Sequence, residues 1–228
     1  MLAFYRDFSA SAPDELSTQA AFLHAPDGSG AKLCAVAVCH CGPDAERADA
    51  DVAALRSFGS PAADMIERVP YPVANTGVDW LFERGRPCYW KSAFFSELSD
   101  EALDALAGAF QRAPTEQCAL VLESFQGAVT RIDPTATAYP HRRPGHNLLL
   151  ISQWTDPADS DAGIAWARTT FQDLAPYLDE RSYTNYVPAD DHDRVRSAYG
   201  VNYERLVELK RRYDPTNLFH LNQNIDPA

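Results

Sequence analysis

No stretch of this sequence approaches the roughly 20 consecutive apolar residues that a membrane-spanning helix requires; its longer apolar runs, such as 148–152, cover only a few positions. Positive charge is also scarce. Against 32 Asp and Glu stand 20 Lys and Arg, and the formal charge of −12 repels phosphate backbones and anionic headgroups. Nucleic acid and membrane surfaces are therefore not expected partners. The first residues, Met1 to Phe8, show no basic start, apolar core or small-residue cleavage site, so a cytoplasmic protein is expected. Cysteine is sparse and odd in number (Cys34, Cys39, Cys41, Cys88, Cys118), which points to reduced thiols in a chain large enough to need no staples. Motifs are lacking too: there is no G-x-S-x-G elbow, no G-x-x-x-x-G-K-[ST] loop, no G-x-G-x-x-G after a strand and no H-E-x-x-H. Gly28-Ser29-Gly30 reads as a flexible loop. What is present is enough apolar residue, 46%, to bury a sizeable core in one domain or one and a half, without repeats or low complexity.

Hydrophobic patterning predicts the elements. Leu2 to Phe8 and Glu15 to Leu23 carry apolar positions at mixed spacing that favours no single element. Lys32 to His40, rich in Val, reads as a buried strand, and Pro43 opens a helix running to about Phe58 and stopped by Gly59. With Pro61, Pro70 and Pro72, the segment 60–86 is mostly connection, anchored by Trp80, Leu81 and Phe82. Cys88 to Phe95 is a strand, and Ser99 caps a helix whose inward face is Leu103, Leu106, Ala107 and Phe110. Cys118 to Phe125 is a strand leading through Gln126-Gly127 into a hairpin. Asn147 to Trp154 is another strand, followed by a helix over 161–175 with Ile164, Ala167, Phe171 and Leu174 on one side. A short strand, Tyr183 to Val187, precedes a helical region broken at Gly200, with Lys210, Arg211 and Arg212 complementing the carbonyls of its last turn. The hairpin and the absence of a glycine-rich turn favour α+β: a mainly antiparallel sheet with helices on one face, then a C-terminal helical segment and extended tail.

Few residues suggest chemistry. Cys39-His40-Cys41 has no second pair at zinc-finger spacing, so no metal site is expected and the cysteines read as small buried hydrophobes. His24 and His192 fall in polar segments and are expected at the surface. His141 and His146 bracket Arg142-Arg143-Pro144-Gly145, either an anion contact or a solvated basic loop. Glu123 sits inside an apolar strand, where a carboxylate must be paired, protonated or facing a cavity unless it simply points outward. Tyr183-Thr184-Asn185-Tyr186 is the most unusual run: strand alternation puts Tyr183 and Asn185 on one face and Tyr186 on the other. That pair suits a flat, heteroatom-rich ligand with the phenol as proton acceptor; an ordinary Tyr-rich edge strand is the alternative.

The run from Tyr199 to Ile225, YGVNYERLVELKRRYDPTNLFHLNQNI, resembles the terminal segment of the berberine-bridge-enzyme-like family of FAD-linked oxidases. In the family's order stand also Tyr89-Trp90-Lys91-Ser92, Gln126-Gly127-Ala128-Val129, Thr137-Ala138-Tyr139-Pro140-His141-Arg142, Trp154, Trp166-Ala167-Arg168 and Tyr183-Thr184-Asn185-Tyr186. The resemblance implies a substrate-binding α+β domain over 1–180 and a family-type C-terminal segment over 181–228, without the domain that holds the FAD diphosphate. It implies FAD as cofactor, a small-molecule substrate oxidised at an alcohol or amine carbon by hydride transfer, dioxygen as acceptor, and a separately encoded FAD-binding domain as candidate partner. Tyr183 is the implied proton acceptor, with Tyr186 and the Glu123 carboxylate as alternatives. Asn185 would line the flavin, and Asn222, Gln223 and Asn224 would make polar contacts near the domain junction. A stand-alone binding module, or an inactive truncated product, would keep the same sequence features without the chemistry.

Overall fold

A computed structural model of the chain describes residues 1–188, 190–191 and 194–227, so His192 lies outside the described residues. Five strands form one sheet: β1 (Leu16–His24), β2 (Lys32–His40), β3 (Cys88–Phe94), β4 (Ala119–Phe125) and β5 (Gly145–Gln153), in the order β2-β1-β4-β5-β3. Every pairing is antiparallel. The long helices are α1 (Leu2–Ala10), α2 (Ala45–Arg56), α4 (Asp100–Gln111), α5 (Ser160–Leu174) and α7 (Tyr203–Tyr213), with single-turn helices α3 (Tyr71–Asn75) and α6 (Val195–Tyr199). This is the expected α+β architecture.

Alternation along the strands sends one set of side chains into the main core. Ala20, Leu120, Leu122, Leu148 and Leu150 face α1, α4 and α5, meeting Leu2, Tyr5, Leu106, Phe110, Trp166 and Leu174. Each fully buried large side chain contributes roughly 1.5–3 kcal/mol. The buried Tyr5 phenol ties α1 to the sheet through the carbonyls of Leu122 (3.0 Å) and Thr18 (3.2 Å). Helix α5 packs closest at Gly163, whose absent Cβ would lie 2.6 Å from the Trp154 ring, while the Gly163 carbonyl accepts from Ser152 Oγ at 2.9 Å. The opposite face carries only a small apolar cluster, Ala119, Leu149 and Ile151 with Leu23, Trp90, Val121 and Tyr186. This helix-free face positions the site.

Several local expectations change. Strand β1 lies between β2 and β4, yet its Ser-Thr-Gln-Ala-Ala stretch gives little apolar contrast, which is why the mixed pattern of 15–23 favours no element. Strand β2 has the expected bounds but is an edge strand and largely half-exposed, not buried. Helix α2 is opened by Asp44, whose carboxylate accepts from the amides of Glu46 and Arg47, rather than by Pro43. The Gln126-Gly127 hairpin is replaced by a 3₁₀ turn over Gly127–Arg131, because β4 already has β1 and β5 as partners on its two edges. The buried side of α5 is Gly163, Trp166, Ala167, Thr170 and Leu174, with Phe171 at its margin under the cations of Lys91 and Arg194. In the connection, Trp80 is exposed; Leu81, whose carbonyl accepts from Gln153 Nε2, and Phe82, against Trp90, do the anchoring. Cys39 and Cys41 are exposed rather than buried, and all five cysteines are unpaired. Ser99 caps α4 and Gly200, at φ 45°, separates the last two helices, as expected.

The histidines are more buried than their sequence neighbours imply. His24 packs on Phe110, with ring centroids 5.1 Å apart. His141 is buried and its Nε2 bonds the Ser182 carbonyl at 2.9 Å, while Arg143 and Pro144 in the same segment are exposed. Arg142 is spent on the Val129 carbonyl and Thr137, and Arg143 on Asp179. His146 Nε2 lies 2.9 Å from Ser9 Oγ; since that hydroxyl donates to the Arg6 carbonyl, the imidazole N–H donates to Ser9.

Burial, reinforced by the nearby Arg6 cation, depresses the His146 pKa to about 4. The unfolded chain takes up this proton at about pH 6.5 and the folded chain does not, so the stability contribution is complete above about pH 6.5 and shrinks as pH falls towards 4. Denaturant unfolding of the parent should lose on the order of 2–3 kcal/mol more than His146→Gln across that window.

Candidate functional site

Glu123 stands on the helix-free face of β4, paired in register with Asn147 on β5 and Gln19 on β1. Its two oxygens are held separately. Asn147 Nδ2 donates to Oε2 at 2.8 Å, and the Tyr186 phenol donates to Oε1 at 2.9 Å. The carboxylate is thus paired by hydrogen bonds, and among the described residues no cation bridges it.

Residues 183–187 do not form the expected strand. The amide of Tyr186 bonds the Tyr183 carbonyl at 2.9 Å and closes a 3₁₀ turn over Thr184–Tyr186. A three-residue repeat brings positions i and i+3 together instead of alternating them across faces. Tyr183 and Tyr186 therefore meet edge to face, 5.0 Å between centroids at 89°, so the assignment of Tyr186 to an opposite face is overturned. The Tyr183 and Asn185 pairing survives by another route: Asn185 Nδ2 donates to the Tyr183 phenol oxygen at 2.9 Å. Further rings continue the wall, with Tyr139 5.9 Å from Tyr183 and Trp90 6.2 Å from Tyr186.

Burial first, then the Glu123 charge and its hydrogen bond, raise the Tyr186 pKa well above that of an ordinary phenol. Tyr186 therefore keeps its proton and directs it at Glu123. Burial likewise raises the Tyr139 phenol, against the lowering effect of Arg142. Two buried polar atoms beside this wall have no partner among the described residues, the Tyr139 hydroxyl and Trp90 Nε1.

Asn222, Gln223 and Asn224 lie apart from this cluster, in the tail after α7. Gln223 Nε2 donates to the Val187 carbonyl at 2.7 Å, tying the tail directly behind the Tyr186 turn. Asn222 and Asn224 border an open groove of about 310 Å³ together with Arg196, Tyr203 and His220. The tail itself is organised by Asp214, which accepts from the amides of Leu218 (2.7 Å) and Phe219 (3.0 Å). Lys210 is bound to Asp214 and the Phe219 carbonyl, so it serves the turn beyond α7 rather than the helix's own carbonyls. Among the described residues no group of three or more His, Cys, Asp or Glu could hold a metal, and no helix is long and apolar enough to cross a membrane. Sequence reading missed Asn147, Trp90 and Tyr139. An Asn at one end of an apolar strand was the visible signal for the first.

A sheet followed by a polar aromatic turn and a returning tail has counterparts among known proteins. Residues 182–226 match the family described as berberine and berberine like. An FAD-linked oxidoreductase of Dictyostelium discoideum is 26% identical over 175 residues, 76% of this chain and 38% of that protein. Berberine bridge enzyme from Eschscholzia californica superposes with a TM-score of 0.78 at 18% identity, covering 100% of this chain and 52% of that one. The 6-hydroxy-D-nicotine oxidase of Arthrobacter nicotinovorans gives 0.76 at 24% identity, covering 97% and 50%. Residues 182–226 thus carry the berberine-like segment, and the chain shares the fold of these solved structures over 97–100% of its length. It spans about half the length of those solved chains.

If Glu123 supplies part of what holds the Tyr186 proton, Glu123→Gln should lower the pH at which Tyr186 ionises by about one unit. Phenolate absorbance, compared with a Tyr186→Phe control, checks the direction.

Proposed function

We propose that this chain is the substrate-facing part of an FAD-dependent oxidoreductase that oxidises an alcohol or amine carbon of a small molecule, with Glu123 as proton acceptor. The single observation carrying this reading is the Glu123 carboxylate held by two donors on the helix-free face, beside a wall of phenols. Kinship to FAD-linked oxidoreductases supports the cofactor class.

The residues fit one side of a flavin. Tyr139 and Trp90 bring unpartnered buried donors to the same wall, and Tyr183 with the exposed Asn185 adds a phenol and a carboxamide at its rim. Bound FAD supplies a hydride acceptor that dioxygen reoxidises. Its diphosphate contacts are assigned to a flavin-binding domain outside the described residues, whether contiguous or separately encoded, since none of the described turns joins a strand to a helix through a glycine-rich loop. Exposed apolar side chains on the tail, Leu218, Phe219 and Leu221, suit docking of such a domain.

Within this frame the protein's own groups divide the work. Glu123 takes the proton from the substrate O–H or N–H as the C–H bond gives up its hydride. Tyr186, kept protonated, fixes one carboxylate oxygen and stays a donor throughout. Tyr183, whose oxygen accepts from Asn185, directs its remaining hydrogen at the substrate. The rings exclude water, which strengthens each polar contact.

Equilibrium titration of the full chain with FAD should show binding weaker than micromolar, and a flavin-binding domain supplied in trans should restore a yellow complex. In that complex Glu123→Gln should slow turnover by about 10²–10⁴-fold, the usual contribution of a positioned base. Undiminished turnover in the variant would overturn the role of Glu123, and tight FAD binding by the chain alone would overturn the division of the cofactor site.

A further inference from the structure

Three adjacent strands carry a transverse row of polar side chains across the helix-free face. Asn147 on β5 is the register partner of Glu123 on β4, and Ser92 on β3 stands one diagonal step away, opposite Leu149. Asn147 is 0% exposed and Ser92 1%. Their neighbours on that face are Leu149, Ile151, Ala119 and Trp90, all apolar surroundings. Burying a carboxamide there is costly unless each end finds a partner, and an aliphatic residue would serve the packing at least as well. The row is fully bonded: Ser92 Oγ donates to Asn147 Oδ1 at 3.0 Å, and Asn147 Nδ2 donates to Glu123 Oε2 at 2.8 Å.

The direction of the chain follows from donor chemistry. A carboxylate accepts only, so it must meet the amide nitrogen and not the amide oxygen. The Ser92 hydroxyl, by giving its hydrogen to Oδ1, selects that orientation. Glu123 is then clamped from two elements, β5 through Asn147 and the 3₁₀ turn through Tyr186, one donor to each oxygen.

We infer that Asn147 and Ser92 are positioning residues: Asn147 sets the rotation and charge of the Glu123 carboxylate, and Ser92 locks the carboxamide so that its NH₂ faces that carboxylate. This rests on Glu123 being the proton acceptor proposed above. The titratable groups whose charges act with Glu123 are the phenols of Tyr186 and Tyr139 on its own face and of Tyr5 on the other; Tyr183 acts in turn on Tyr186 and Tyr139.

The test follows the Glu123 carboxyl signal by carbon-13 NMR across pH in the full chain, identified by its loss in Glu123→Gln. Asn147→Leu removes a donor to the charged form and should move that signal's transition to higher pH. Asn147→Asp places a second carboxylate opposite the first and should move it further, because one proton is then shared. Ser92→Ala should give a smaller rise, and Ser92→Thr, which keeps the hydroxyl, should behave as the parent. The Asp and Thr variants are near-isosteric and decide the matter even where Leu fails to fold. A midpoint unmoved in folded Asn147→Asp, or equal rises in Ser92→Ala and Ser92→Thr, would overturn the inference. No flavin enters this measurement, so its failure is distinguishable from failure of the oxidoreductase reading.

Discussion

A carboxylate standing on the sheet face away from α1, α4 and α5 has to be held by donors from its own neighbours, and the arrangement of Glu123 depends on that constraint. Asn147 reaches it across one strand spacing and Tyr186 reaches it from a turn sixty-three positions later in the chain. Either donor alone would leave the carboxylate free to rotate. Together they distribute one hydrogen bond to each oxygen, and the charge they hold in turn keeps the Tyr186 phenol protonated.

That face is available because the main core is built on the other one. Tyr5 fastens α1 beneath β1 and β4, and the absence of a side chain at Gly163 lets α5 approach Trp154, so the helices consume the apolar side of every central strand. What is left opposite is a thin apolar cluster with aromatic edges and a polar row. The C-terminal segment crosses to this side, pinned by Asn202 to the Pro134 and Thr137 carbonyls and by Gln223 to Val187. The segment 182–226, which matches the berberine-like family, thereby supplies both Tyr186 and the tail that braces its turn.

Elements whose cause is local were legible. Ser99 before an apolar repeat of 3.6 residues predicts α4, and the unbroken aliphatic run from Leu148 to Ile151 predicts β5. Elements whose cause is a neighbour were not. Strand β1 has too little apolar contrast to announce itself and exists because β2 and β4 pair with its two edges. Tyr183 to Val187 has strand-forming residues but folds as a turn, closed by the Tyr186 amide on the Tyr183 carbonyl. Histidines 24, 141 and 146 sit among polar residues in sequence and among buried ones in space. The candidate site shows the same division: Glu123, Tyr183, Asn185 and Tyr186 could be named from an unusual charge and an unusual run, whereas their partnership could not.

The amino-acid sequence by itself determined the α+β class and the one-sided apolar faces of its long helices. These depend on periodicity and capping, which act over a few residues. Only the tertiary structure decided that Glu123 would meet Asn147 and Tyr186, that Tyr183 and Tyr186 would share one wall, and that Asn222 and Asn224 would border a separate groove. Register between strands and the closure of a turn against a sheet are set by contacts distant in sequence, and no local pattern encodes which distant group will arrive.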